Sequence, residues 1–133
     1  MKKRICASLL VVVLTIFSSV YIFAGSQTKT TSTSYGTMTA QNYCYYTSGS
    51  TIFSCGNAIT SVSSGPAYKI NSLVELHDYS TGSLLNSDTK TLNNVSSCEA
   101  IVYYDPIPVT CYASHNVWSN SSSWALYTYS TYK

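Results

Sequence analysis

Ala67-Tyr68-Lys69-Ile70-Asn71-Ser72-Leu73-Val74-Glu75-Leu76-His77-Asp78-Tyr79 is the most regular stretch of the chain. Tyr68, Ile70, Val74 and Leu76 share one side of the alternation, and Lys69, Asn71, Glu75 and His77 mostly share the other. A period of two is the mark of a strand with one face buried and one face wet. Outside the apolar N-terminus, no window holds a convincing helical period of 3.6.

The same alternation recurs on both sides of this segment. Met38, Ala40, Cys44 and Tyr46 oppose Thr37, Thr39, Gln41 and Tyr43. Cys98, Ala100, Val102 and Tyr104 oppose Glu99, Ile101 and Tyr103. Val109, Cys111, Ala113 and Val117 oppose Thr110, Tyr112, Ser114 and Asn116, and Trp124, Leu126 and Thr128 oppose Ala125, Tyr127 and Tyr129. Leu84–Leu92 is less regular: Leu85 and Leu92 are spaced for a helix, but Asn86, Ser87 and Thr89 argue against one.

Turn residues punctuate the runs at Ser48-Gly49-Ser50, Ser63-Ser64-Gly65-Pro66, Ser80-Thr81-Gly82-Ser83, Asn93-Asn94, Asp105-Pro106 and Ser119–Ser123. Short alternating strands with such spacing predict an all-β fold, a small antiparallel β-sandwich or barrel of about six to eight strands. Pro106 and Pro108 cannot donate to a ladder, so their segment is expected at an edge or in an irregular stretch.

The first residues carry a different message. Met1-Lys2-Lys3-Arg4 is a cationic start, and Ile5–Ala24 follows without a charge. Ala24-Gly25-Ser26 then offers small residues suited to a cleavage site. Residues 1–26 are therefore expected to be a secretory signal peptide. The apolar run is also long enough to anchor the chain in a bilayer, but Ser18, Ser19 and the polar sequence after Ala24 favour cleavage. Cys6 lies too early to accept a lipid, and Tyr127–Lys133 has no apolar tail. The product is expected to be released outside the cell, without stable membrane association.

Removing the leader changes the charge balance. Residues 27–133 keep four lysines and five carboxylates, for a net charge of −1, and no arginine. Nucleic-acid binding needs clustered Lys and Arg, so it is excluded. Only 9% of the residues are charged, against roughly 25% in ordinary soluble proteins. Solubility must then come from hydroxyls and amides. Residues 27–34 read as a flexible Ser/Thr-rich lead with nothing apolar to bury. Residues 35–133 read as a single β domain.

Cys44, Cys55, Cys98 and Cys111 are an even set in a chain expected to be exported, which predicts two disulfides. A symmetric turn at Ser48-Gly49-Ser50 would oppose Cys44 and Cys55. A second turn at Asp105-Pro106 would oppose Cys98 and Cys111. The preferred pattern is thus Cys44–Cys55 with Cys98–Cys111. The competing one joins the hairpins, Cys44–Cys111 with Cys55–Cys98, across a sandwich. The spacings do not match paired zinc ligands, so no metal is expected, and no cofactor motif is present.

His77 and His115 are the only histidines. His77 adjoins Asp78 and shares strand parity with Glu75, but neighbouring strand residues diverge and no nucleophile motif accompanies it. His115 reads as a packed strand residue. Glu75 and Glu99 have little chain around them to build a glycosidase cleft, and Lys69 lacks a motif for an intramolecular amide crosslink. Asn94-Val95-Ser96 and Asn120-Ser121-Ser122 are glycosylation sequons. No catalytic residue is assigned.

Tyrosine is the informative excess, with 13 copies. Tyr43 and Tyr45 share a parity opposite Cys44, and Tyr127 and Tyr129 one opposite Trp124, so the tyrosines cannot all face one core; some serve as cross-strand pairs that suit a sheet. Exposed tyrosines flanked by Ser, Thr and Asn can stack on sugars or contact proteins at low entropic cost. The expectation is a secreted, non-catalytic β protein that binds a glycan or an extracellular protein through Tyr43, Tyr45, Tyr127 and Tyr129. A bacteriocin-like toxin and a small hydrolase using His77 or His115 are the alternatives.

Overall fold

The computed structural model describes residues 21–47 and 53–133. The first twenty residues of the expected leader and the expected turn at Ser48-Gly49-Ser50 lie outside the described residues. Eight strands follow in order: β1 (Tyr21–Thr33), β2 (Gly36–Thr47), β3 (Phe53–Val62), β4 (Ala67–Asp78), β5 (Leu84–Val95), β6 (Ser97–Tyr104), β7 (Val109–Trp118) and β8 (Ser123–Tyr132). They form two four-stranded antiparallel sheets, ordered β1-β2-β3-β6 and β5-β4-β7-β8. The architecture is a β-sandwich.

The chain changes sheet between β3 and β4, where the Gly65-Pro66 peptide is cis, again between β5 and β6, and again between β6 and β7. Asn94 takes a φ of 55° just before the second crossing, a left-handed conformation that Asn tolerates better than most residues. Pro106 and Pro108 sit in the third crossing, outside the strands, where no ladder asks for their missing N–H.

The inward residues are those the alternation selects. Met38, Ala40 and Cys44 from β2, Ile70, Val74 and Leu76 from β4, and Val109, Cys111 and Val117 from β7 are fully buried. Tyr68 departs from the pattern: it is 51% exposed, while Ala67 is buried. Leu84–Val95 is an edge strand of its sheet and has no fully buried residue. Its helix-like leucine spacing is thereby explained: Leu85 and Leu92 reach two different apolar clusters.

Those clusters divide the core. One holds Cys44, Ala58, Val74, Leu76, Ala100, Val102, Val109, Cys111 and Ala113. The other holds Met38, Val62, Ala67, Ile70, Cys98 and Val117. Polar side chains lie buried alongside them: Asn42, Thr60, Ser72, His115, Thr128 and Ser130.

Two expectations need correction. The first concerns residues 27–34. Gln27–Thr33 is not a loose lead but part of β1, paired with β2 from Gln27↔Asn42 to Thr33↔Gly36. It buries little apolar area yet fills hydrogen-bonding positions at the neighbouring sheet: Lys29 Nζ donates to the Tyr127 carbonyl at 2.7 Å, and Gln27 Oε1 accepts from the Tyr129 amide at 3.0 Å.

The second concerns cysteine pairing. The β2–β3 ladder places Cys44 opposite Gly56 and Tyr45 opposite Cys55. A register one residue from the symmetric expectation puts Cys44 and Cys55 on opposite faces. Cys98 and Cys111 are not opposed either, because β6 and β7 belong to different sheets. The four thiols are free and buried.

Candidate functional site

The outward face of the β5-β4-β7-β8 sheet gathers most of the chemistry. Register sets its rows. Ser87, Glu75, Tyr112 and Tyr129 lie across the four strands in one row. Leu73, Ser114 and Tyr127 lie in the row on one side, and His77, Thr110 and Thr131 in the row on the other. Asn71 and Asn116 are opposed farther along.

The aromatic rings are well displayed. Tyr112 and Tyr129 are 49% and 57% exposed, with ring centroids 6.5 Å apart and planes tilted by 34°. Tyr127, on the same face, is 65% exposed. Neither ring of the Tyr112/Tyr129 pair covers the other, so both keep an open edge or face. His77 packs edge-on to Tyr112 at 5.0 Å. At the far end, Lys69 Nζ lies 4.4 Å from the Trp118 ring, a cation–π contact between cross-strand partners.

Hydrogen bonds orient the polar members. Asn116 Nδ2 donates to Ser114 Oγ at 3.0 Å and to Asn71 Oδ1 at 3.4 Å. Asn71 Nδ2 donates to Thr89 Oγ1 and Thr91 Oγ1 at 3.1 and 3.0 Å. Each amide is therefore held in one orientation, as a recognition surface requires.

His77 has a partner for each nitrogen: the Gly82 carbonyl 3.0 Å from Nδ1 and Glu75 Oε2 3.0 Å from Nε2. Burial alone would lower its pKa, but the Gly82 carbonyl and the Glu75 carboxylate outweigh it and raise the pKa above the usual 6.5. Two acceptors favour the doubly protonated ring, which has no lone pair with which to take a proton. The arrangement suits an oriented positive donor beside an aromatic row. Asp78 faces away and closes its own loop: Oδ1 accepts from the Ser80 hydroxyl, the Ser80 amide and the Thr81 amide at 2.6, 2.8 and 2.9 Å. The Ser80 hydroxyl, followed by the two amides, lowers its pKa.

The sequence-derived candidates split between two faces. Tyr127 and Tyr129 belong to the surface just described. Tyr43 and Tyr45 lie on the outward face of the other sheet, half-buried, where Tyr45, Cys55 and Tyr103 form one cross-strand row. The four tyrosines therefore do not make one site. Glu99 also lies on that second face, hydrogen-bonded by Asn57 Nδ2, with a whole sandwich between it and Glu75. Sequence parity alone did not single out Tyr112, Asn71 or Asn116; pairing β7 with β4 and β8 would have joined them to Tyr129.

His115 is fully buried, with Thr60 and Thr128 on its two nitrogens. Among the described residues, no three His, Cys, Asp or Glu side chains are grouped to hold a metal ion. No protein-family model matches the chain. No curated protein is significantly similar in sequence, and no solved structure is significantly similar in fold.

Proposed function

We propose that this chain is a secreted, non-catalytic binding protein whose β5-β4-β7-β8 face takes a neutral glycan. The observation that carries it is the side-by-side display of Tyr112 and Tyr129, half-exposed and tilted, in a field of oriented amides and hydroxyls. Flat apolar rings stack on the C–H faces of sugars, and fixed Asn, Ser and Thr groups meet their hydroxyls. Charge plays a small part: Lys69 is engaged with Trp118, and His77 with Glu75. A neutral ligand fits such a surface better than an anionic one.

Export supplies the setting. Residues 1–26 act as the leader, so its cleavage shortens β1 to Gln27–Thr33; the released chain meets glycans outside the cell, and its cysteines meet an oxidising milieu.

The test is affinity electrophoresis through gels carrying soluble neutral polysaccharides, namely a β-glucan, an α-glucan, a xylan and a glycol-modified chitin. Retardation in at least one gel, lost in the Tyr112→Ala/Tyr129→Ala variant and kept in Tyr43→Ala/Tyr45→Ala, is the expected result. Unretarded migration in all four gels, or undiminished retardation of the Tyr112→Ala/Tyr129→Ala variant, overturns the assignment.

A further inference from the structure

The four buried thiols are not equivalent, and the sandwich sorts them. Cys44 and Cys111 are fully buried members of one apolar cluster, on strands of opposite sheets. Cys98 belongs to the other cluster, its Sγ 3.2 Å from the Lys90 carbonyl. Cys55 has the outward parity of its sheet, between Tyr45 and Tyr103.

Gly56 brings the first pair together. It stands directly opposite Cys44 in the β2–β3 ladder. A Cβ built on it would lie 2.8 Å from Cys111 Sγ. The Cys111 sulfur therefore occupies the volume that a side chain opposite Cys44 would fill. Cross-strand neighbours stand about 4.5–5.5 Å apart at Cα, which puts the Cys111 sulfur within a side chain's reach of Cys44. Contact with the Cys44 thiol, followed by burial, raises the Cys111 pKa far above its usual value. No such partner exists between Cys55 and Cys98, which point to opposite sides of the β3–β6 sheet.

We infer that Cys44 and Cys111 form the single native disulfide of this fold, an inter-sheet bridge, and that Cys55 and Cys98 remain thiols. The two thiols give up two protons and two electrons as the S–S bond forms. A small-molecule or protein disulfide accepts them and leaves as two thiols. Formation in the living culture rests on the export proposed above; the pairing rests on the fold alone.

The experiment separates the two. The full chain carrying Cys6→Ser is reduced, unfolded, and refolded in mixed reduced and oxidised glutathione, so burial of the thiols is no barrier. Remaining thiols are alkylated under denaturing conditions, and peptides are mapped without reduction. One Cys44–Cys111 peptide, with Cys55 and Cys98 alkylated, is the expected result. A Cys44–Cys55, Cys98–Cys111 or Cys55–Cys98 bridge, or four alkylated cysteines, overturns the pairing. The Cys55→Ser/Cys98→Ser variant should form the same bridge, and adding reductant should lower its thermal midpoint; failure to bridge in this folded variant also overturns it. Protein from the culture medium and from the cells is mapped in parallel. Chain found only in the cells, unprocessed and with four thiols, beside a Cys44–Cys111 bridge in the refolded chain, upholds the pairing and overturns the export.

Discussion

Thr60 Oγ1 and His115 Nδ1 lie 2.9 Å apart inside the sandwich and tie one sheet to the other. The bond belongs to a buried chain. Ser72 Oγ is 2.6 Å from Thr60 Oγ1 and donates to the Cys98 carbonyl at 2.9 Å, and Thr128 Oγ1 is 2.8 Å from His115 Nε2. Each hydroxyl has one proton, so the network assigns its own directions. With Ser72 committed to Cys98, Thr60 donates to Ser72, His115 donates from Nδ1, and Thr128 donates to Nε2. A satisfied polar chain inside a core specifies one packing of the sheets, since a slipped sheet would leave buried groups unpaired.

Acid should weaken this fold through His115. Burial lowers its pKa from 6.5 to about 4. The unfolded chain takes up a proton near pH 6.5, whereas the folded chain resists until about pH 4. Stability is therefore full above pH 6.5 and falls as pH drops towards 4, by about 3 kcal/mol in total if the whole shift is expressed. The other shifted groups act elsewhere. His77 has a raised pKa, so its contribution is present below pH 6.5 and is lost above it. Asp78 has a lowered pKa, so its contribution is lost only below its usual 3.8. Urea midpoints measured between pH 7 and pH 4.5 should decline, and His115→Gln should flatten the decline. A flat profile for the unaltered protein would contradict the burial argument.

Gly56→Ala tests the space beneath Cys111. The added methyl would meet Cys111 Sγ at 2.8 Å, Leu76 Cδ2 at 3.0 Å and Val74 Cγ2 at 3.1 Å. All three neighbours are buried, so none can swing into solvent. Overpacking a close-packed core of this kind costs about 1–3 kcal/mol. Chemical denaturation should show a lower midpoint with an unchanged m-value. An unchanged midpoint would mean that the sheets can separate locally at this point.

The surface tyrosines should behave in the opposite way. Tyr112 and Tyr129 form a cross-strand pair, and such pairs contribute roughly 0.2–1 kcal/mol. Tyr112→Ala/Tyr129→Ala should therefore shift the denaturation midpoint only slightly while removing polysaccharide retardation. A loss of several kcal/mol would mark the pair as structural and remove the basis for the proposed binding face.

The period-two pattern makes the buried face of most strands legible in the sequence. Ile70, Val74 and Leu76 point inward as their spacing demands, and so do Cys98, Ala100 and Val102. Pairing was less legible, because a period of two says which side a residue faces and nothing about its neighbour. Cys44 and Cys55 show the consequence: a register one residue away from symmetry sends their side chains to opposite faces. Strand β1 was hidden for another reason. Gln27–Thr33 contains no apolar residue, and its place comes from hydrogen bonds to β2 and β8. The proposed binding face needed both kinds of knowledge, since Tyr112 joins Tyr129 only once β7 is set beside β8.

Strand β1 offers the most local test. The Tyr129 amide donates to Gln27 Oε1 at 3.0 Å, on the outer edge of β8. β8 pairs with β7 on its other side, so side chains from β1 supply what a further strand would. Gln27→Ala removes the acceptor and leaves the β1–β2 ladder intact. A hydrogen bond of this kind contributes about 1 kcal/mol, so the Tyr129 amide should exchange with deuterium roughly five-fold faster. Amides of β4 in the sheet interior should not change. Lys29→Ala removes only a donor to the Tyr127 carbonyl and should leave Tyr129 exchange as it was. Unaltered exchange at Tyr129 in Gln27→Ala would show that β1 does not protect the edge of β8, and the place of residues 27–33 would then rest on the β1–β2 ladder alone.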